Sequence, residues 1–305
     1  MGKSDREPVS VVHLFPVVFC LVVTLIFASI LKLYLIKVTG AEEISTPIIP
    51  ESVTGQAIPH PTVYGEQGLG PLMNALLLLS LMTVSVTLFY LFVKRGKTLI
   101  LRLTIMSSFG LLLFALSNFY VQKIQYLLNL SNQTILSVAS LIITLIILPS
   151  IFVLEGKLQK IVVISVGSSA GTFLGTSIPL LSAIVLILML MFYDVITVYK
   201  GPLGKMLKME EARTLLKGIV IEFREVIIGL GDIIFYSMVI SHIYYNFNAY
   251  YLPSTVMASI GILIGTYITL KIVEKRRIAP ALPISLALAM ILGYGTQAIL
   301  LRTMI

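Results

Sequence analysis

Nine stretches of the chain are almost free of charge, and each is near the ~20 apolar residues that carry a helix across a hydrocarbon core. The first runs from Val11 to Ile36 behind a polar start; it is too long for a signal-peptide core and no small-residue cleavage pattern follows it. Further runs occupy about 71–93, 98–121 and 133–154, punctuated by Lys94-Arg95-Gly96-Lys97 and Glu155-Gly156-Lys157. From Ile161 to Tyr199 the only charge is Asp194, and one helix of that length would reach about 58 Å, twice a bilayer core. The run must fold back. Gly175-Thr176-Ser177-Ile178-Pro179 is the place, since glycine suits the end of one helix and Pro179 the first turn of the next. Runs at about 226–246, 252–271 and 279–302 complete the set.

The polar segments between these runs differ in kind. Residues 37–70 hold Pro47, Pro50, Pro59 and Pro61 among several glycines and no Lys or Arg after Lys37, which marks an extramembrane loop; its isoleucines and Tyr64 predict that it packs on the protein. Within 200–225, Met209, Ala212, Leu216, Ile219, Val220 and Phe223 recur among Lys and Glu. That spacing reads as an amphipathic helix on the membrane surface over 206–223, with a simple connector as the alternative. Basic residues then set the orientation, because the excess of Lys and Arg belongs to cytoplasmic loops. With the N-terminus cytoplasmic, all but Lys32, Lys37, Lys123 and Arg302 fall on that side. The expected fold is an all-α polytopic membrane protein of nine transmembrane helices with its C-terminus outside. It divides into a five-span scaffold (1–175) and a four-span catalytic part (176–305). Asn129-Leu130-Ser131 and Asn132-Gln133-Thr134, both glycosylation-type triplets, fall in one predicted outer loop.

Composition agrees: 57% of residues are hydrophobic and 12% charged, where soluble proteins have roughly 45–50% and 25%. The net charge of +8 follows from the loop pattern and calls for no nucleic-acid partner. The single cysteine, Cys20, allows no internal disulfide and no thiolate zinc site. His13, His60 and His242 lack the spacing of a metalloprotease helix, so neither a metal nor any other cofactor is expected.

Against this background two acids need a reason. Asp194 and Asp232 lie inside apolar runs, whereas the third aspartate, Asp5, is in the polar start. An ionisable side chain at bilayer depth costs several kcal/mol and points to a functional site with a partner. Asp194 is six residues before Lys200 and Asp232 six after Val226, so in antiparallel neighbouring helices both would sit roughly 9 Å below the same boundary. Gly229 and Gly231 reduce bulk beside Asp232, as close helix approach in membranes requires. Two adjacent carboxyls share a proton, and such a dyad activates water against an amide and protonates the leaving nitrogen. Taken alone, the pair also fits a structural hydrogen-bonded contact or a proton pathway.

Three short motifs narrow the choice. Tyr193-Asp194, Gly229-Leu230-Gly231-Asp232 and Pro280-Ala281-Leu282 occur in that order, and the chain thereby resembles the presenilin family of intramembrane aspartyl proteases, whose YD, GxGD and PAL motifs these match. Lys200-Gly201-Pro202-Leu203, Phe235-Tyr236-Ser237 and Pro283-Ile284-Ser285 extend the match towards presenilin proper rather than signal peptide peptidase. The resemblance implies that Asp194 and Asp232 are catalytic. It also implies that Tyr193, Gly229, Leu230 and Gly231 shape the site, and that Pro280, Ala281 and Leu282 position the substrate, a single-span membrane protein held in the bilayer. Pro280 and Pro283 should keep the start of the last span from being an ordinary helix and leave backbone groups free near the dyad. The loop at 200–225 is too short for the long insertion of the animal proteins, so the resemblance is to compact, archaeal-type homologues; the oligomeric state and any need for partner subunits stay open.

Other readings exist. Gly167-Ser168-Ser169-Ala170-Gly171 spells GxSxG, but Gly167, Gly171 and Gly175 recur every four residues, as on a helix-packing ridge rather than a nucleophile elbow; Gly261 and Gly265 repeat the device. A proton-coupled transporter or channel would use the acids as relays, yet no inverted repeat places them in matching halves. Prepilin-type peptidases share a GxGD but not the PAL tripeptide or the span count.

Overall fold

The computed structural model describes residues 11–39, 68–96, 98–130, 133–154, 156–200, 220–223, 226–246, 250–276 and 279–303. A 3-10 turn, Val11–Leu14, leads into α1 (Phe15–Thr39), followed by α2 (Gly70–Lys94), α3 (Thr98–Leu128), α4 (Gln133–Val153), α5 (Lys157–Ser177) and α6 (Leu180–Lys200). A two-stranded antiparallel hairpin, β1 (Val220–Phe223) and β2 (Val226–Gly229), precedes α7 (Leu230–Asn246), α8 (Tyr251–Arg276) and α9 (Leu282–Arg302). Eight of these helices are long and apolar enough to cross a membrane; α7, at 17 residues, is the short one. The chain is an integral, multi-pass membrane protein.

The fold-back falls where the sequence places it. α5 ends at Ser177, Ile178 is extended, and the Pro179 carbonyl accepts the Ala183 amide at 2.9 Å in the first turn of α6. The seventh run differs from expectation, because residues 226–229 are strand and the helix starts only at Leu230. The β-branched run Val226-Ile227-Ile228 favours extended backbone, and it pairs in the register Val220↔Gly229 to Phe223↔Val226. The amphipathic helix expected over 206–223 is therefore corrected at its described end, which is strand; residues 206–219 lie outside the described residues. So does most of the loop at 37–70.

Two glycine seams hold the centre together. α5 lies so close on α7 that a Cβ on Gly167 would come within 2.7 Å of Leu230 Cδ1, and one on Gly171 within 2.6 Å of Ser237 Cβ. A Cβ on Gly175 would run into the Met238 carbonyl. α8 meets α9 likewise, with Gly261 facing the Leu288 carbonyl and Gly265 the Ser285 backbone. Without a hydrophobic force between helices in lipid, such close approach supplies the packing energy. The GxSxG tripeptide core is thus part of a buried seam in mid-helix, and Ser168 donates to the Cys20 carbonyl at 3.3 Å.

Hydroxyls tie the remaining helices to this block. Cys20 Sγ is 3.2 Å from Ser237 Oγ, and Thr24 donates to the same oxygen at 2.8 Å, joining α1 to α7. Tyr120 of α3 donates to the Ser169 carbonyl at 2.8 Å. α2 is fastened near its ends, where Asn74 donates to Ser182 of α6 at 3.2 Å and Val93 packs with Leu101 and Ile105. Two of the four basic residues that break the loop rule have local work. Lys37 donates to the Tyr126 and Leu127 carbonyls and to Asn129 Oδ1 at 3.1, 2.9 and 2.7 Å, closing the last turn of α3. Lys32 donates to the Tyr244 carbonyl at 3.0 Å and sits 3.1 Å from the centre of the Tyr251 ring, a cation–π contact.

Candidate active site

Both intramembrane carboxyls are held at the beginnings of helices. Asp194, half-buried on α6, accepts the Leu282 amide on Oδ2 at 2.9 Å. Leu282 is the first residue of α9, and the first amides of any helix have no partner within it and carry the positive end of its dipole. Pro283 occupies the first turn, a position where a missing N–H costs nothing. The prolines therefore do not suspend the helix beyond Leu282, and the backbone group expected to be free beside the dyad is spent on Asp194.

Asp232 is the third residue of α7, and its Oδ2 accepts the Gly229 amide at 3.3 Å. That is the reach-back half of a capping box, with Gly229 at the N-cap and a carboxylate at the third helical position. Asp232 hence stands in the first helical turn, one residue pair beyond a strand, rather than six residues deep in a helix. One turn beyond it, Tyr236 reaches the Ala281 carbonyl, so the end of α7 that carries Asp232 and the Leu282 amide that holds Asp194 meet at the same peptide. The two helices are not packed along their length, however: α6 and α7 each pack on α9, whose start stands between them.

The motif residues around the pair divide by contact. Leu230 is buried against Gly167 of α5 and fixes the strand-to-helix joint. Leu282 is buried in the main apolar core, while Pro280 and Ala281 are half-buried. Tyr193 is half-buried next to Asp194 in sequence, but adjacent helical residues point about 100° apart. The motif glycines do not match the expectation of close helix approach. A Cβ on Gly229 would meet Asp232 Oδ2 at 3.5 Å and, at 3.9 Å, Asp232 Cγ and the Gly231 nitrogen; one on Gly231 would meet Phe235 Cε2 at 4.0 Å. Among the described residues these are contacts within α7 and its own cap, whereas the glycines that admit a neighbouring helix are on α5, α8 and, at Gly293, α9.

A cluster of hydroxyls joins Tyr236 and Ser285, which the sequence offers only as flanks of the motifs, to Thr266. The Tyr236 oxygen lies 3.3 Å from both the Ala281 carbonyl oxygen, to which it donates, and Ser285 Oγ, and Thr266 Oγ1 lies 3.2 Å from Ser285 Oγ and 3.5 Å from the tyrosine oxygen. The available signal was Tyr236 standing four residues, one helical turn, after Asp232. Ser241 and His242 lie further along α7, where His242 Nδ1 is 2.8 Å from the Gly175 carbonyl. Among the described residues no three His, Cys, Asp or Glu side chains converge as a metal site.

No family model matches the chain, and no curated protein does. Solved structures do. A presenilin family intramembrane aspartate protease in a C222 crystal form superposes with a TM-score of 0.61 at 18% identity, over 94% of this chain and 98% of that one. The P2 form of such a protease gives 0.60 at 18%, over 97% and 100%. The chain has the presenilin-type fold. The likeness covers nearly the whole chain, the first five helices as well as those that carry the two aspartates.

Proposed function

We propose that this chain is an intramembrane aspartyl protease that hydrolyses peptide bonds in the transmembrane helices of other membrane proteins. The observation that carries this reading is the placement of Asp194 and Asp232 around the start of α9, each bonded to a backbone amide at a helix N-terminus within apolar spans. The solved structures of the same fold, named as intramembrane aspartate proteases, support it.

In the proposed cycle one carboxylate takes a proton from water as it attacks the scissile carbonyl, and the other carboxyl gives a proton to the departing nitrogen. A helix must unwind locally to offer its amide. The hairpin beside Asp232 supplies a partner for the unwound strand, because a two-stranded sheet has open edges and an extended peptide adds to such an edge through main-chain hydrogen bonds. The absence of side chains at Gly229 and Gly231 lets the scissile backbone come close to Asp232. Pro280, Ala281 and Leu282 line the approach to Asp194, and Tyr193 flanks it.

The test is cleavage of a reconstituted single-span substrate, read by mass spectrometry. Wild type should cut within the apolar span, and Asp194→Asn and Asp232→Asn should each abolish the cut while still folding, since an amide neither accepts nor gives that proton. A cut retained by either variant, or no cut by wild type, would overturn the assignment; proton-coupled flux without peptide products would point to a transporter.

A further inference from the structure

The peptide unit joining Ala281 to Leu282 is gripped from both sides. Its carbonyl accepts the Tyr236 hydroxyl at 3.3 Å and the Ser285 hydroxyl at 3.2 Å, and its amide donates to Asp194 at 2.9 Å. In a trans peptide those two groups point in opposite directions across one rigid plane. A rotation that releases one therefore disturbs the other. Tyr236 and Ser285 are fully buried, at 1% and 0% exposure, so no bulk water replaces a lost bond. Hydrogen bonds in series also polarise one another, so a donor on the carbonyl strengthens the amide that holds Asp194.

Tyr236 is rigidly connected to the other carboxyl. It follows Asp232 by one turn of α7, and that turn is fixed by Leu230 and Ile233 packing on Gly167. Thr266 reaches Ser285 from α8 because Gly265 lets that helix press against the Ser285 backbone. Three helices thus converge on a single peptide plane.

We propose that Tyr236 is a positioning residue for the aspartate pair: through the Ala281–Leu282 peptide it sets the carboxyl of Asp194 relative to Asp232, with Ser285 as a second donor to the same carbonyl. The proposal rests on the protease reading, and it adds a residue that touches neither water nor substrate. Tyr236→Phe and Ser285→Ala remove one hydroxyl each and keep the packing volume. Because either hydroxyl alone still engages the carbonyl, each single variant should lower kcat about fivefold and the double variant about thirtyfold, with KM unchanged within about twofold. A role confined to packing would lower thermal stability and leave kcat per folded molecule at the wild-type value, and that result overturns the proposal.

A second measurement does not depend on activity. Tyr236→Phe and Asp194→Leu, combined in a thermal-unfolding cycle on the full chain, should give non-additive shifts in Tm because both act on one peptide plane; additive shifts would show that no such bridge exists. If wild type cleaves no substrate, the protease reading fails while this cycle still decides whether the bridge is real.

Discussion

Gly171→Val tests the seam that positions α7. A Cβ at this position would lie 2.6 Å from Ser237 Cβ and 3.0 Å from the Ile234 carbonyl carbon, where carbon atoms in contact sit about 3.5–4.0 Å apart. The obstacle is backbone and cannot swing aside, so α5 and α7 must part by about 1 Å. Intrinsic helix preference contributes little, since Val and Gly differ by only a few tenths of a kcal/mol, and overpacking of this kind costs ~1–3 kcal/mol. Gly295→Val on α9 is the control, as nothing among the described residues lies within 4 Å of a Cβ there. Thermal unfolding in detergent should show a Tm several degrees lower for Gly171→Val and near wild type for Gly295→Val. Cleavage per folded molecule should fall as well, because a shift of α7 by about 1 Å stretches the 3.3 Å bond from Tyr236 to the Ala281 carbonyl. Equal Tm values for the two variants would refute the seam as the element that sets α7.

Gly231→Ala should leave Tm unchanged, because its Cβ meets nothing nearer than 4.0 Å, and should reduce cleavage if that space receives the substrate; wild-type kcat/KM would remove the proposed use of the gap. Activity should fall on both acid and alkaline sides of an optimum set by the aspartates titrating as a pair, and a profile flat across the range would count against a shared-proton dyad. Leu282→Ala should lower Tm as well as cleavage, since this side chain is in the core at 5% exposure; loss of cleavage at unchanged Tm would instead mark a purely docking role. In a Cys20→Ser background, cysteines at positions 65 and 275 should be labelled from opposite sides of the membrane, and labelling from one side would sink the proposed orientation.

Most of the architecture is written in apolar run lengths, because a bilayer leaves a backbone few options and a run of about 20 residues already means a helix. Glycine spacing on α5 and α8 was equally legible, since a four-residue repeat marks one helix face. The seventh run misled for a physical reason: Val226-Ile227-Ile228 is as apolar as a helix interior, and only pairing with Val220–Phe223, a partner invisible to periodicity, makes it a strand. The place of Asp232 along its helix differs with it, since the helix starts only at Leu230. The aspartates themselves stood out as charges in apolar runs, but the amides that hold them did not. Those depend on where α7 and α9 begin, which is a matter of one or two residues. Tyr236 and Ser285 were visible only as flanks of the motifs, and Thr266 not at all, because an uncharged hydroxyl does not stand out against a membrane background as a carboxyl does.

The brevity of α7 has a consequence for the solvent. Its 17 residues make a rod of about 25 Å, some 5 Å less than a typical hydrocarbon core. A helix too short for its bilayer is accommodated by local thinning or by polar groups drawn inward. Here the polar groups at that end are the carboxyl of Asp232 and the backbone of the hairpin, so hydration is expected to follow them down to the carboxyl without any helices separating. Bilayer thickness thereby becomes a variable of the chemistry: lipids with longer chains would bury the end of α7 more deeply and lengthen the path that a hydrolytic water must take.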